Sequence, residues 1–387
     1  MSLLVFLFGK IIYNCELRKV SRQVSQVCVM KKNILVLFML LAIFLGLAPE
    51  TVLADSTDSS ADSEFNQKID SLLDQKGYSG TLLVVKNGKP IYQTSRGFAN
   101  YANGIDNDKN TTYEIDSVQK SMTAAMIMKQ VQDGKLKLSD KLAKFYPQIP
   151  GSKKITIRQM LDMTSGLILK GDIGPSRILS DEDIIHEDIT NIKFSNFLHG
   201  KWDYQAINFN LLSGILEKLT GESYRQLFTD TFIKKLDLDN TIFAYDNDPN
   251  ILKATGYNNI DPLSSRLDYK NAFYTRKWFE FDELGTGQIY MSANDLYKVE
   301  KYIMTGSYLS KKSRKELFKS GSGSTYGGGL YHRPNDNFAN GWGYGFQTVM
   351  HISHNGKNAV IVLENYSRLA ADIKPAAKTI YQMVNEK

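Results

Sequence analysis

Only two cysteines occur in the 387 residues, Cys15 and Cys28, and both precede the apolar run from Ile34 to Ala48. Everything after that run therefore lacks a disulfide, a thiol nucleophile and a cysteine-based metal site. Histidine is scarce as well: His186, His199, His332, His351 and His354 are the five. None pairs with an acidic residue at metalloprotease spacing, and His351 with His354 in an expected hairpin reads as incidental rather than as a ligand pair. A zinc enzyme is a poor reading, and no metal or other cofactor is expected. An excess of one charge is also missing. Residues 1–54 hold six Lys or Arg against two acidic residues, so the net +6 of the whole chain shrinks to about +2 for the remainder, which does not suggest a nucleic-acid partner. Long apolar runs are absent too, since Ile34 to Ala48 falls short of the ~20 residues of an ordinary span.

That short run is informative in its context. Met30-Lys31-Lys32-Asn33 precedes it and Val52-Leu53-Ala54 follows it, giving the basic, apolar and small-residue parts of a secretory signal. Residues 30–54 read as a signal peptide or an uncleaved signal anchor, with membrane anchoring by residues 34–48 in the second case, and residues 1–29 as upstream translation. Either outcome places the following domain outside the cytoplasm, secreted or held at the cell surface. Residues 55–64 are rich in Ser and Asp and read as a flexible stalk, which leaves 65–387 as one catalytic domain.

Strand signals cluster at the two ends of that domain. Thr81 to Val85 and Ile91 to Thr94 flank Asn87-Gly88, and Val349 to Leu363 flank Asn355-Gly356. Helical text fills the middle, so the pattern predicts an α+β fold with an antiparallel sheet built from both termini and helices packed on it. The weakly periodic segment 167–201 reads as a lobe or lid over the site. Ser180 before Asp181-Glu182-Asp183 reads as a capped helix start, where an acid is also placed to receive a substrate ammonium. The basic run Lys311 to Lys319 reads as a solvated helix face, with contact to an anionic wall polymer as the alternative. The sequence does not fix the oligomeric state.

The chemistry concentrates at Ser117-Val118-Gln119-Lys120. On a helix beginning there, Ser117 and Lys120 share a face. The run Met122 to Val131 is almost wholly apolar and Asp133-Gly134 stops it, so the helix is expected to be buried. A serine hydroxyl is a weak nucleophile until a base takes its proton, and a lysine serves only when its amine is neutral; burial and the positive end of a helix dipole both favour that form. The same helix start aims the Ser117 N–H at a developing oxyanion. The alternative is a surface serine and lysine, three apart by chance.

The text from Tyr113 to Ala125 resembles the nucleophile helix of penicillin-binding-protein-like and serine β-lactamase-like hydrolases. Asp133 to Asp140, Tyr146-Pro147 and Ile155 to Leu167 follow that family's order and spacing. The resemblance implies a β-lactamase/D,D-peptidase-like fold with a helical lobe over the active site. It also implies roles for two more segments. Tyr204-Gln205-Ala206 stands where the family has Tyr-Ser-Asn or Tyr-x-Asn, giving Tyr204 as a proton relay between Lys120, Ser117 and the leaving group. Ala339-Asn340-Gly341-Trp342-Gly343-Tyr344-Gly345-Phe346 fits the His-x-Gly-x-x-x-Gly-Phe spacing, so Asn340, Gly341 and Trp342 border the substrate and the Trp342 N–H completes the oxyanion hole. His354-Asn355-Gly356 reads as a turn instead. Gly285-Thr286-Gly287 matches a family stretch near the cleft.

Two departures carry the functional expectation. Ala206 replaces an asparagine that holds a substrate amide, and Ala339 replaces a basic residue that helps hold a free carboxylate. A D-alanyl ester has neither group, and the chain is similar to esterases acting on D-alanylated teichoic acids. The leading reading is thus an extracellular serine esterase that hydrolyses D-alanyl esters of lipoteichoic or wall teichoic acid. The alternatives are a D,D-carboxypeptidase or related penicillin-binding enzyme acting on peptidoglycan, and a catalytically inactive module that binds a cell-wall polymer.

Overall fold

The computed structural model describes residues 56–171, 178–261, 263–273, 281, 283–321 and 323–386. The signal and upstream readings for residues 1–54 lie outside the described residues. Among these no helix is long and apolar enough to cross a membrane. The chain divides after Ala61, and the sheet, the core and the clefts all belong to 62–387.

The central sheet has seven antiparallel strands: β1 (Gly80–Lys86), β2 (Lys89–Arg96), β3 (Tyr326–Gly327), β4 (Leu330–His332), β5 (Asn337–Gly343), β6 (Phe346–Ile352) and β7 (Ala359–Glu364). Their order is β3-β4-β5-β6-β7-β1-β2. The two chain ends thus meet at the β7–β1 pairing, where Leu82 lies opposite Val362. The expected sheet from both termini is the observed one. Asn87 and Gly88 both take positive φ, 52° and 79°, the two-residue turn whose twist matches a hairpin.

Both faces of the sheet are covered, which explains why its strands read as nearly continuous apolar runs. Leu82, Val84, Val360 and Val362 point to a core closed by helices α1 (Ser56–Lys76) and α5 (Lys374–Glu386). Leu83, Val85, Ile361 and Leu363 point to the larger core, which includes helices α2 (Gln119–Gln132), α3 (Ile207–Thr220) and α4 (Ala293–Thr305). The alternation follows from the two-residue period of a strand.

One expectation fails here. The run read as a stalk, residues 55–64, is helical from Ser56 onward as the first turns of α1. Phe65, Ile69 and Leu73 recur every fourth residue and bury against the sheet. That anchored stripe carries the helix, and the Glu64–Lys68 ion pair at 2.7 Å bridges its polar and apolar parts.

The remaining readings place cleanly. Ser180 caps helix Asp181–Asn191, and the segment 167–201 also holds the strand pair Leu167–Leu169 with Ile192–Phe194. Helix Lys311–Leu317 buries Ser313 and Leu317 while its lysines face solvent. Asn355-Gly356 lies in a turn closed by Ser353 and Asn358, with the Gly356 carbonyl accepting from Tyr297 Oη on α4 at 2.9 Å.

Candidate active site

The nucleophile turn begins where the short strand Tyr113–Glu114 ends. Ile115 N–H donates to the Ile289 carbonyl at 2.9 Å, which fixes the chain as it leaves the strand. A single 3₁₀ turn, Asp116–Val118, then feeds α2, so Ser117 sits two residues ahead of the first residue of the α-helix proper. Asp116 makes the corner with φ 46°, a left-handed conformation that is strained for any residue but glycine. Ile115 and Val118 on either side are fully buried. The side chains flanking the serine clamp the corner while Ser117 itself keeps access to solvent.

Lys120 is 1% exposed, yet its Nζ donates to Ser117 Oγ at 2.9 Å. Its other hydrogen bond runs to the Thr286 carbonyl at 3.1 Å, and the amine lies 5.5 Å from the Tyr204 ring centroid. Among the described residues no carboxylate forms an ion pair with it. This arrangement places a buried amine directly against the serine hydroxyl. The Thr286 loop is pinned to α2, because Thr123 Oγ1 donates to the Gly285 carbonyl at 2.7 Å and Gly285 N–H donates to Gln288 Oε1 at 3.0 Å. Gly285-Thr286-Gly287 therefore acts as the wall that orients the lysine.

Tyr204 enters from the loop before α3 and lines the same cleft as Ser117. Its neighbours turn away: Gln205 Nε2 donates to Asp203 Oδ2 at 3.1 Å, and Ala206 is the uncapped helix start. Asn208 is buried with its amide on the Gln205 carbonyl at 2.9 Å, so it does not replace the missing asparagine at the cleft.

The third segment lies on β5, which runs alongside the nucleophile turn. A Cβ added at Gly341 would fall 2.2 Å from the Ile115 carbonyl oxygen, so only glycine lets the strand approach this closely. Ala339, Asn340 and Trp342 line the cleft, with Asn340 Oδ1 accepting from Gln347 Nε2 at 3.4 Å and the Trp342 indole donating to Ser367 Oγ at 2.5 Å. Ser117, Lys120, Tyr204 and the Asn340-Gly341-Trp342 strand are thus brought together. The acidic Asp181 and Glu182 are not: they line a separate cavity, so neither can receive the ammonium of a substrate held at Ser117.

Several contributors carry no local sequence signal. Tyr326, Tyr331 and Phe338 line the cleft, as do Arg333 and Lys374. Tyr326 is fully buried and its hydroxyl has no hydrogen-bond partner, while its ring packs edge-on to Tyr204 at 5.9 Å. Beneath the turn, Asp116 Oδ2 is buried and unpaired. Burial first, then the nearby Glu114 and Glu283 carboxylates, push Asp116 well above the usual carboxylate range, with Lys120 opposing. Glu300 on α4 hydrogen-bonds Ser121, and burial raises its carboxyl to about 7 against that bond. Burial thus favours the protonated form of both Asp116 and Glu300. Among the described residues no group of three or more His, Cys, Asp or Glu is placed to hold a metal ion.

This geometry, a buried lysine on a serine beside a glycine-bearing edge of strand, agrees with comparison to known proteins. A family model described as Beta-lactamase matches residues 65–371. The chain belongs to the β-lactamase family. Within that family it is 30% identical over 326 residues to a Bacillus subtilis (strain 168) protein named for penicillin binding, PbpX, covering 83% of this chain and 79% of the relative. It is also 30% identical over 214 residues to the protein flp of Staphylococcus aureus (strain MW2), covering 50% of this chain and 42% of flp. Among solved structures, FmtA from Staphylococcus aureus superposes with a TM-score of 0.70 at 23% identity, covering 84% of this chain and 89% of FmtA. The D-amino acid amidase of Ochrobactrum anthropi SV3 superposes equally well, TM-score 0.70 at 18% identity, covering 84% and 99%. The β-lactamase/transpeptidase-like fold is therefore that of this protein, and the chain is a serine β-lactamase-fold hydrolase.

Proposed function

We propose that this β-lactamase-family protein is an extracytoplasmic serine esterase that removes D-alanyl groups from lipoteichoic or wall teichoic acid. Lys120 takes the Ser117 proton as Oγ attacks the ester carbonyl. The Ser117 and Trp342 N–H groups receive the oxyanion, and Tyr204 returns a proton to the departing polyol oxygen. Water then hydrolyses the D-alanyl-Ser117 acyl-enzyme, with the same lysine accepting its proton.

The observation that carries this reading is the 2.9 Å Lys120–Ser117 contact at a cleft where Ala339 occupies the position of the carboxylate-binding residue. An intact serine–lysine pair speaks against a purely binding role, and Ala339 in place of the family's basic residue favours an ester over a peptide terminus. The alanyl ammonium finds aromatic faces in place of a carboxylate: Tyr331 and Trp342 line the cleft, and ring faces attract cations. The fold neighbour named D-amino acid amidase is consistent with a D-configured acyl group.

A D,D-carboxypeptidase is the second reading, favoured by the two cations of the cleft, Arg333 and Lys374, which suit a terminal carboxylate. D-alanine release from D-alanylated lipoteichoic acid, lost in Ser117→Ala, is the expected result. Labelling of Ser117 by a fluorescent penicillin, with trimming of muropeptides ending in D-Ala-D-Ala and no release from teichoic acid, would replace the esterase with the carboxypeptidase.

A further inference from the structure

The Ser117 cleft, about 390 Å³, does not end at the nucleophile. It shares Asn340, Trp342 and Lys374 with an adjoining groove of about 290 Å³ that reaches Arg368 and Leu369. With that lining in common, the cleft continues into the groove rather than ending as a closed socket. Such a continuous cleft suits a chain that continues beyond the reacting unit on both sides.

The polar groups along the cleft itself are unbalanced. Among the described residues its lining contains two cations, Arg333 and Lys374, and no carboxylate. Arg333 has no carboxylate partner among the described residues; its guanidinium lies 3.8 Å from the Phe338 ring centroid, a stacking contact that leaves its in-plane N–H donors free. Lys374 stands at the start of α5 and faces Asp372 across 3.5 Å, with both side chains about two-fifths exposed, a loose pair that leaves donors for a ligand. Tyr326 adds a buried hydroxyl with no partner among the described residues, and burial, with the Tyr204 and Tyr331 hydroxyls, favours its protonated form. The cleft is thus rich in donors, and its natural complement is an anion with several acceptor oxygens.

We infer that Arg333 and Lys374 form a subsite for the phosphodiester groups of a polyol-phosphate chain, positioning the acylated unit at Ser117. The inference rests on the esterase reading and narrows its substrate. In such a chain each acylated polyol is flanked by phosphodiesters only a few bonds from the ester oxygen, so one bound unit brings anions to both sides of the reacting carbonyl. A small D-alanyl ester carries the same carbonyl and ammonium but no phosphate. Selectivity for polymer over monomer then resides in these two side chains, neither of which touches the reacting atoms.

The test compares kcat/KM on D-alanylated lipoteichoic acid with that on D-alanine methyl ester, for the full-length protein and for Arg333→Gln, Lys374→Gln and their double variant. The polymer-to-monomer ratio is expected to fall about tenfold or more in the double variant, chiefly through KM. Raising sodium chloride from about 50 to about 300 mM should weaken the wild type on the polymer and affect the double variant less. Arg333→Lys should recover part of the loss, which separates lost charge from lost folding. A ratio that stays within about twofold, or a parallel loss on both substrates, overturns the subsite.

A second measurement separates the two proposals. Ser117→Ala is titrated with polyglycerol phosphate stripped of D-alanine. If the wild type releases no D-alanine but this binding is present and drops about tenfold on adding Arg333→Gln and Lys374→Gln, the esterase fails and the subsite stands. Binding that is absent, or indifferent to both substitutions, removes the subsite whatever the esterase assay gives.

Discussion

Among the described residues two concavities stand out by size or content, and the smaller one holds the serine–lysine pair. The cavity between helices Asp181–Asn191 and α3 measures about 770 Å³, roughly twice the Ser117 cleft. It is lined by Asp181, Glu182 and Glu217 along with Arg225, and the Glu217 carboxyl is raised to about 7 by burial and the adjacent Asp181. Among its described lining residues no serine faces a lysine amine. The smaller cleft has no carboxylate in its lining, but it has a serine hydroxyl 2.9 Å from a buried amine. Both regions hold perturbed titratable groups, so neither volume nor a shifted pKa distinguishes them. Mutual geometry does.

The comparison is open to experiment at several scales. Ser117→Ala should lower ester hydrolysis by at least about 10³-fold, and Lys120→Ala by about 10²- to 10⁴-fold, in steady-state assays, since one forms the acyl-enzyme and the other activates it. Tyr204→Phe keeps the ring over Lys120 and removes only the hydroxyl, so a loss of about ten- to a hundredfold, mostly in kcat, is expected. A wild-type rate in that variant would transfer the relay to another group.

Glu300 links the cleft to pH. Its folded value of about 7 lies above the ordinary 4.5, so its contribution to stability is full below about 4.5 and is lost as pH rises towards about 7. Relative to Glu300→Gln, the wild type should therefore lose on the order of 3 kcal/mol over that window in chemical denaturation. A constant difference between the two proteins would mean that the carboxyl is already ionised. Asp116→Gly should be more stable than the wild type by on the order of 1 kcal/mol, because it relieves the left-handed corner and removes an unpaired buried oxygen. Equal or lower stability would show that the Asp116 side chain makes a contact worth more than the strain. The smallest effect belongs to the larger cavity: Glu217→Gln keeps an acceptor for the Tyr224 N–H and should leave ester hydrolysis within about twofold. A large loss there would join the two regions into one functional unit.

The parts that were legible in the sequence are those with a local physical signature. The Asn87-Gly88 hairpin follows from two residues that tolerate positive φ, and α2 from an apolar run closed by Asp133-Gly134. Ser117 and Lys120 were found because three residues of helix separate them by one turn. The supposed stalk was misread for the opposite reason: its polar residues look unstructured until the stripe from Phe65 to Leu73 finds a sheet to cover. Arg333, Lys374 and Tyr326 were invisible because no short-range pattern links them. They meet Ser117 only when β3, β4 and β5 pair in register and α5 closes the far side of the sheet.

By itself, the sequence determined the pairing of Ser117 with Lys120, the strand-rich ends and the helical middle, because each depends on spacings of one to four residues, where backbone geometry leaves little choice. The tertiary structure alone decided that the lysine would be buried on the serine with a carbonyl as its other partner. It also decided that three carboxyls would gather beneath the turn, and that two distant cations would line the cleft. Those outcomes depend on which surfaces exclude water together, and burial is a property of the packed chain that no single segment carries.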